Sequence, residues 1–150
     1  MDAGIQTIAV LHGVNLDQLG RRDPAHYGSL TLAELEHAIE GYATDAGLRA
    51  QCLQSNHEGA FVEYLHGVRE WAAAVVLNPG AWTHYSYAIR DALELTGLPA
   101  VEVHLSDVDA REPFRRVSVL DGLCLARVKG RGADGYRDAM QILHDHLTTS

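Results

Sequence analysis

Ala73-Ala74-Val75-Val76-Leu77-Asn78-Pro79-Gly80 is the stretch that decides the fold. Its apolar run has no polar alternation, so it reads as a short strand buried on both faces, and Pro-Gly ends it. Strands buried on both faces belong to parallel sheets covered by helices. Working outward, the same alternation of short apolar runs and amphipathic segments continues in both directions. Upstream, Leu48–Gln54 reads as a strand, and Ser55 or Asn56 can cap a helix running to about Trp71. Before it, Thr31-x-x-Glu34 is a capping-box pattern that opens a helix stopped by Gly47. Ile5–Leu11 is the first strand, followed by a turn-rich loop from His12 to Leu30. Downstream, Thr83 or His84 starts a helix to Thr96, and Ala100–His104 is a strand. A polar loop spans Ser106 to about Ser118, Gly122–Lys129 is the fifth strand, and Ala133–His146 is the last helix. Five strands alternating with four helices predict an α/β fold with a parallel sheet covered on both faces and right-handed crossovers. For this strand number and length the expected architecture is flavodoxin-like, with strand order 2-1-3-4-5.

The 150 residues suit one domain, 1–150, able to bury a core without disulfides or metals. Twelve basic against twenty acidic residues leave a net charge of -8. Such a chain is a poor candidate for binding nucleic acid or an anionic membrane, both of which want a basic face. Lys129 is its single lysine, so Schiff-base chemistry has little scope, and a bound anion must be held by Arg or backbone amides. Cys52 and Cys124, each inside an apolar run, form no disulfide framework and read as reduced core residues. No signal-peptide pattern and no membrane-spanning run is seen, and a cytoplasmic location is expected.

In open parallel sheets, ligands bind beyond the carboxyl ends of the strands, at the switch in strand order. The loops predicted there hold Asn15, Arg22, Tyr27, His57, Asn78, His84, His104 and Arg115, whereas the opposite-end loops are plain connections. Dinucleotide and P-loop fingerprints are missing, and so is a Ser/Thr-rich flavin phosphate loop. His12, Glu58, His84 and His104 show no ligand spacing, so neither a metal nor a cofactor is expected. Glu102 and His104, two apart on a strand, point to one face, where a carboxylate can fix the imidazole tautomer and support its charged form.

The loops resemble those of the type II 3-dehydroquinate dehydratases, flavodoxin-like enzymes of the shikimate pathway, from about Ile8 to Leu147. The resemblance is carried by Gly13-x-Asn15-Leu16, Leu19-Gly20-Arg21-Arg22-Asp23-Pro24-x-x-Tyr27-Gly28, Gln54-Ser55-Asn56-His57-Glu58-Gly59, Asn78-Pro79-Gly80-Ala81-x-Thr83-His84, Glu102-Val103-His104-Leu105-Ser106 and Arg111-Glu112-x-Phe114-Arg115. It implies a lyase that removes water from 3-dehydroquinate through an enolate, without a covalent intermediate. Tyr27 matches the base and Arg22 the essential arginine. A free tyrosine, with pKa about 10, is only ~0.1% phenolate at pH 7, so such a base needs a nearby cation. His104 matches the general acid, supported by Glu102, and Asn15 the residue that holds an enolate-stabilising water. Asn78, His84, Leu105, Ser106 and Arg115 match substrate-binding positions, with Arg115 a charge-assisted clamp for a hydroxylated ring acid. Asp91 matches a position that reaches a neighbouring subunit's site. The resemblance further implies a homododecamer built from trimers.

Two departures open alternatives. His12 and Val14 stand where the resemblance expects Asn and Pro, and Asp107 where it expects Asn. An extra titratable group and an extra carboxylate near the site allow a divergent relative acting on a related cyclic acid, such as the amino analogue of dehydroquinate. A non-catalytic flavodoxin-like assembly protein is the other alternative. Lys129 is expected to be solvated, and Glu58 and His57 to serve capping and subunit packing.

Overall fold

The computed structural model describes residues 4–21 and 29–149. Strands β1 (Thr7–His12), β2 (Arg49–Gln54), β3 (Ala74–Asn78), β4 (Ala100–His104) and β5 (Ala126–Lys129) form one parallel sheet in the order β2-β1-β3-β4-β5. The helices are α1 (Leu32–Asp45), α2 (Glu58–Gly67), α3 (Tyr87–Thr96) and α4 (Asp134–Thr148). The expected flavodoxin-like topology is therefore present.

Strand alternation sorts the core into two layers. Ile8 and Val10 of β1, Ala74 and Val76 of β3, and Val101 and Val103 of β4 pack under α1 and α4, against Leu35, Ile39, Tyr136, Met140 and Leu143. Ala9, Leu11, Val75, Leu77 and Ala100 face the other way, against Phe61, Leu65, Ile89 and Leu93 of α2 and α3. Period-two alternation thus assigns Glu102 and His104 to the α2/α3 face and His12 to the α1/α4 face.

Local boundaries follow identifiable side chains. The capping box at Thr31 forms: Glu34 N–H donates to Thr31 Oγ1 and Thr31 N–H donates to Glu34 Oε1. The helix expected from Ser55 or Asn56 starts at Glu58 and ends at Gly67, followed by a 3-10 turn over Val68–Glu70. Ser55 accepts from His57 N–H in the turn before the helix, and Asn56 points elsewhere. The next helix begins later than expected. Gly80–His84 is a 3-10 turn, and α3 starts at Tyr87 with Ser86 as its cap, accepting from Ile89 N–H at 3.1 Å. Thr83 cannot cap because its hydroxyl is buried and committed to Glu102. The fifth strand is half the expected length, because Leu120 to Leu123 form a turn with Gly122 at φ +90°. Lys129, expected in solvent, is one-third exposed and paired with Asp109 of the loop folded over the strand ends. Cys52 and Cys124 are free, half-buried thiols, and burial pushes both up to about 12. Among the described residues, no helix is long and apolar enough to cross a membrane.

Candidate active site

The switch point lies at β1, which pairs with β2 on one side and β3 on the other. A pocket opens beyond the carboxyl ends of β1, β3 and β4, where Val14, Asn15, Asn78, His84, His104, Leu105, Ser106, Arg111 and Arg115 meet. Seven residues singled out in the sequence are therefore brought together: Asn15, Asn78, His84, His104, Leu105, Ser106 and Arg115. Glu102 lies directly behind His104 on β4. Asp91 lies exposed on α3 and does not line the pocket of its own chain. Tyr27 and Arg22 fall outside the described residues.

The first wall of the pocket is held by close backbone approach. Gly13 N–H donates to Asn78 O at 2.8 Å, and a Cβ on Gly13 would meet Pro79 O at 2.3 Å. Gly80, at φ +66°, sits equally close to Val14, where a Cβ would meet Val14 O at 2.7 Å. Asn78 Oδ1 accepts from Gly80 N–H at 3.0 Å, closing the turn after β3. Asn15 adopts a left-handed conformation, φ +69°, a region that asparagine tolerates better than most residues. Asn56 holds it there by accepting Asn15 N–H at 2.8 Å, while Gln54 donates to both Gly13 O and Asn56 Oδ1. The Gln54-Ser55-Asn56 motif is thus a brace for the first loop.

Glu102 is the most enclosed charge in the site, 1% exposed. His104 Nε2 lies 2.6 Å from its Oε2, Ser118 Oγ donates to its Oε1 at 2.7 Å, and Thr83 Oγ1 donates to Oε2. Arg127, its register partner across β4 and β5, brings Nε to 3.7 Å. Burial pushes the Glu102 carboxyl up, but the His104 hydrogen bond and charge, joined by the Thr83 and Ser118 hydroxyls, outweigh it and hold it below its ordinary 4.5. Hydroxyls converging on an ionised carboxylate leave it acceptor-only, so His104 Nε2 carries the donated proton. Nδ1 is then the ring nitrogen free of Glu102, and His104 itself lines the pocket.

Across the pocket, His84 Nδ1 donates to Val117 O at 2.7 Å, leaving Nε2 as its second polar atom. Burial pulls the His84 pKa below 6.5; the Val117 bond opposes this, and His104, Arg115 and Arg127 add to the lowering, favouring the neutral ring. The Arg115 guanidinium is fixed by Glu112 at 2.6 Å and stacks 4.8 Å from the Phe114 ring centroid. Arg127 also donates to the Arg115 and Arg116 carbonyls, linking this turn to the Glu102 network. The sequence offered no sign of Ser118 or Arg127 as partners of Glu102, and Thr83 read only as a helix start. Alternation on β4 could have pointed to Arg127 only once strand pairing was known.

Of the three departing residues, Val14 lines the pocket, whereas His12 and Asp107 lie elsewhere. His12 is fully buried on the α1/α4 side and does not line the pocket. Asp107 accepts Asp109 N–H at 3.2 Å, capping a 3-10 turn over Val108–Ala110, and it too is absent from the lining. His12 and Asp107 therefore add no group to the pocket lining, and Val14 adds only an apolar side chain.

The family model for dehydroquinase class II matches residues 6–144. The 3-dehydroquinate dehydratase of Syntrophotalea carbinolica is 47% identical over 133 residues, 88% of this chain and 90% of that protein. The Pelotomaculum thermopropionicum enzyme of the same name is 48% identical, covering 89% and 93%. The crystal structure of type II dehydroquinase from Propionibacterium acnes matches with a TM-score of 0.88 at 37% identity, over 93% of this chain and 97% of that chain. With a family match over nearly the whole chain and relatives this similar, the chain belongs to the class II dehydroquinase family.

Proposed function

We propose that the protein dehydrates 3-dehydroquinate to 3-dehydroshikimate by a non-covalent enolate route. The observation that carries the reading is the pairing of His104 with an ionised, buried Glu102 at the edge of a pocket that also holds Arg115 and Asn15. In this route a base takes the proton on the carbon beside the ketone, and the electron pair moves into the enolate. The enolate then expels the tertiary hydroxyl, which takes a proton from His104 and leaves as water. Tyr27 is the base, with Arg22 supplying the cation that a phenolate needs. Asn15 holds the water that steadies the enolate oxygen, and Glu102 orients His104 and balances its charge. Arg115 clamps the substrate, Asn78 and His84 bind its hydroxyls, and the Leu105 and Ser106 amides receive its carboxylate.

The protomer, residues 1–150, works as one domain of a cytoplasmic homododecamer built from trimers, in which Asp91 reaches a neighbour's site. The exposed position of Asp91 on α3 agrees with that role. Incubating the protein with 3-dehydroquinate raises ultraviolet enone absorbance, and Tyr27→Phe lowers the rate by about 10²–10⁴-fold, the range for general acid–base groups. No rise at any pH from about 6 to about 9, a span that brackets ordinary acid–base optima, refutes the reading. An unchanged rate in Tyr27→Phe removes Tyr27 from the role of base.

A further inference from the structure

His12, Glu36 and Cys52 form a second polar cluster on the face of the sheet away from Glu102 and His104. They come from three elements: His12 ends β1, Glu36 lies on the first turns of α1, and Cys52 is the register partner of Val10 on β2. Their ligand atoms all lie within 4.8 Å of one another. His12 is fully buried, yet neither of its ring nitrogens has a hydrogen-bond partner among the described residues. Its Nε2 stands 3.3 Å from Glu36 Oε2, a contact without hydrogen-bond alignment. A buried imidazole left in this state costs free energy unless something else meets its lone pair or proton.

We propose that His12, Glu36 and Cys52 form a binding site for a zinc-like divalent cation. Metal–ligand bonds of about 2.0–2.3 Å place the ligands of a tetrahedral ion about 3.3–3.7 Å apart. The His12–Glu36 separation already has that value, and the whole cluster needs to close by only about an ångström. One imidazole, one thiolate and one carboxylate suit a borderline-soft ion better than calcium or magnesium, which prefer oxygen alone. The thiol proton leaves as the ion arrives. Three protein ligands leave a fourth position for water. The Tyr136 ring lies 6.3 Å from that of His12 and closes the buried side of the cluster. The ion ties α1 to β1 and β2. It takes no part at the pocket, because the sheet separates it from His104. Sequence spacing held no sign of it, since the ligands are 24 and 16 residues apart on separate elements.

Cobalt(II) titration of the chelator-treated full chain tests the site. The expected result is one equivalent bound with a near-ultraviolet thiolate-to-cobalt absorption, retained in Cys124→Ser and lost in Cys52→Ser. Zinc displaces the cobalt and raises the Tm of the wild type. Glu36→Gln, at a partly exposed position that the fold tolerates, lowers affinity about tenfold or more, as loss of a ligand requires. His12→Asn abolishes the zinc-dependent Tm shift. The proposal is overturned if no thiolate–cobalt band forms, if the band survives Cys52→Ser, or if Glu36→Gln binds as tightly as wild type. Cobalt spectra without the thiolate band signify surface histidines only and equally overturn it.

Discussion

Replacing Glu102 with Gln isolates the charge of the buried carboxylate from its shape. The amide can keep its oxygen toward His104 Nε2 and Thr83 and turn its NH2 toward Ser118. Ser118 Oγ already accepts Leu120 N–H, and it can accept a second donor by rotating its own proton. The fold and the His104 tautomer therefore survive, and what is lost is the negative charge. Opposite charges about 4 Å apart interact by about 4 kcal/mol at an effective dielectric of 20, and more than one cation shares this carboxylate. His104 at 2.6 Å and Arg127 at 3.7 Å both lose their counter-charge. A loss of about 3–4 kcal/mol in the transition state corresponds to roughly 10²–10³ in kcat. Ground-state stability at neutral pH falls by less, about 1–3 kcal/mol, the cost of weakening hydrogen bonds to a charged group.

The pH dependence gives a second handle on the same residue. The folded Glu102 pKa lies below 4.5, so between the two values the unfolded chain binds more protons. Its stabilising contribution is complete above about pH 4.5 and drains away as pH falls through the folded value. Urea unfolding of wild type and Glu102→Gln at neutral pH and in acid therefore shows a stability gap that narrows on acidification. Kinetics by enone absorbance supply the rate. A variant within about threefold of the wild-type kcat, or a gap that widens in acid, refutes the role assigned to the charge.

Gly13→Ala forces a Cβ to 2.3 Å from the Pro79 carbonyl, a backbone atom that cannot rotate away. The two loops must separate, costing about 1–3 kcal/mol by the measure of overpacked sites, visible as a lower Tm together with a raised KM. Arg115→Lys keeps the charge but loses the planar contact with Phe114 and the fixed hydrogen bond to Glu112. Its KM for 3-dehydroquinate rises about tenfold or more while kcat changes less, since a point charge on a flexible stem replaces a preorganised fork.

Much of this is legible in the amino-acid sequence alone. Ala73–Asn78 marked a doubly buried strand, and β3 is central with every residue buried. Thr31-x-x-Glu34 forms the capping box because that signal is local, complete within four residues. Where a side chain had two possible local uses, tertiary demand settled which one it took. Thr83 looked like a helix cap, but a buried carboxylate 19 residues away claims its hydroxyl, and Ser86 caps instead. Asn56 looked like a cap as well and instead braces Asn15, 41 residues away. Lys129 looked solvated because nothing in its neighbourhood along the chain carries the Asp109 carboxylate that pairs with it.

The sequence by itself determined the α/β class and the succession of strands and helices, which depend on hydrophobic period and on local stop signals that a linear chain displays directly. The strand order and the polar edge of the sheet were expected from how such folds are built, and the pairing of the strands bears out the order. Only the tertiary structure decided what stands behind each of those side chains. Ser118 and Arg127 reach Glu102 from segments 16 and 25 residues further along the chain, and strand pairing alone aligns Arg127 with it. The same holds for His12. By position it belongs to the first active-site loop, but the parity of β1 turns it through the sheet to Glu36 and Cys52. One residue of strand register separates a side chain in the pocket from one on the opposite face, and only the paired sheet sets that register.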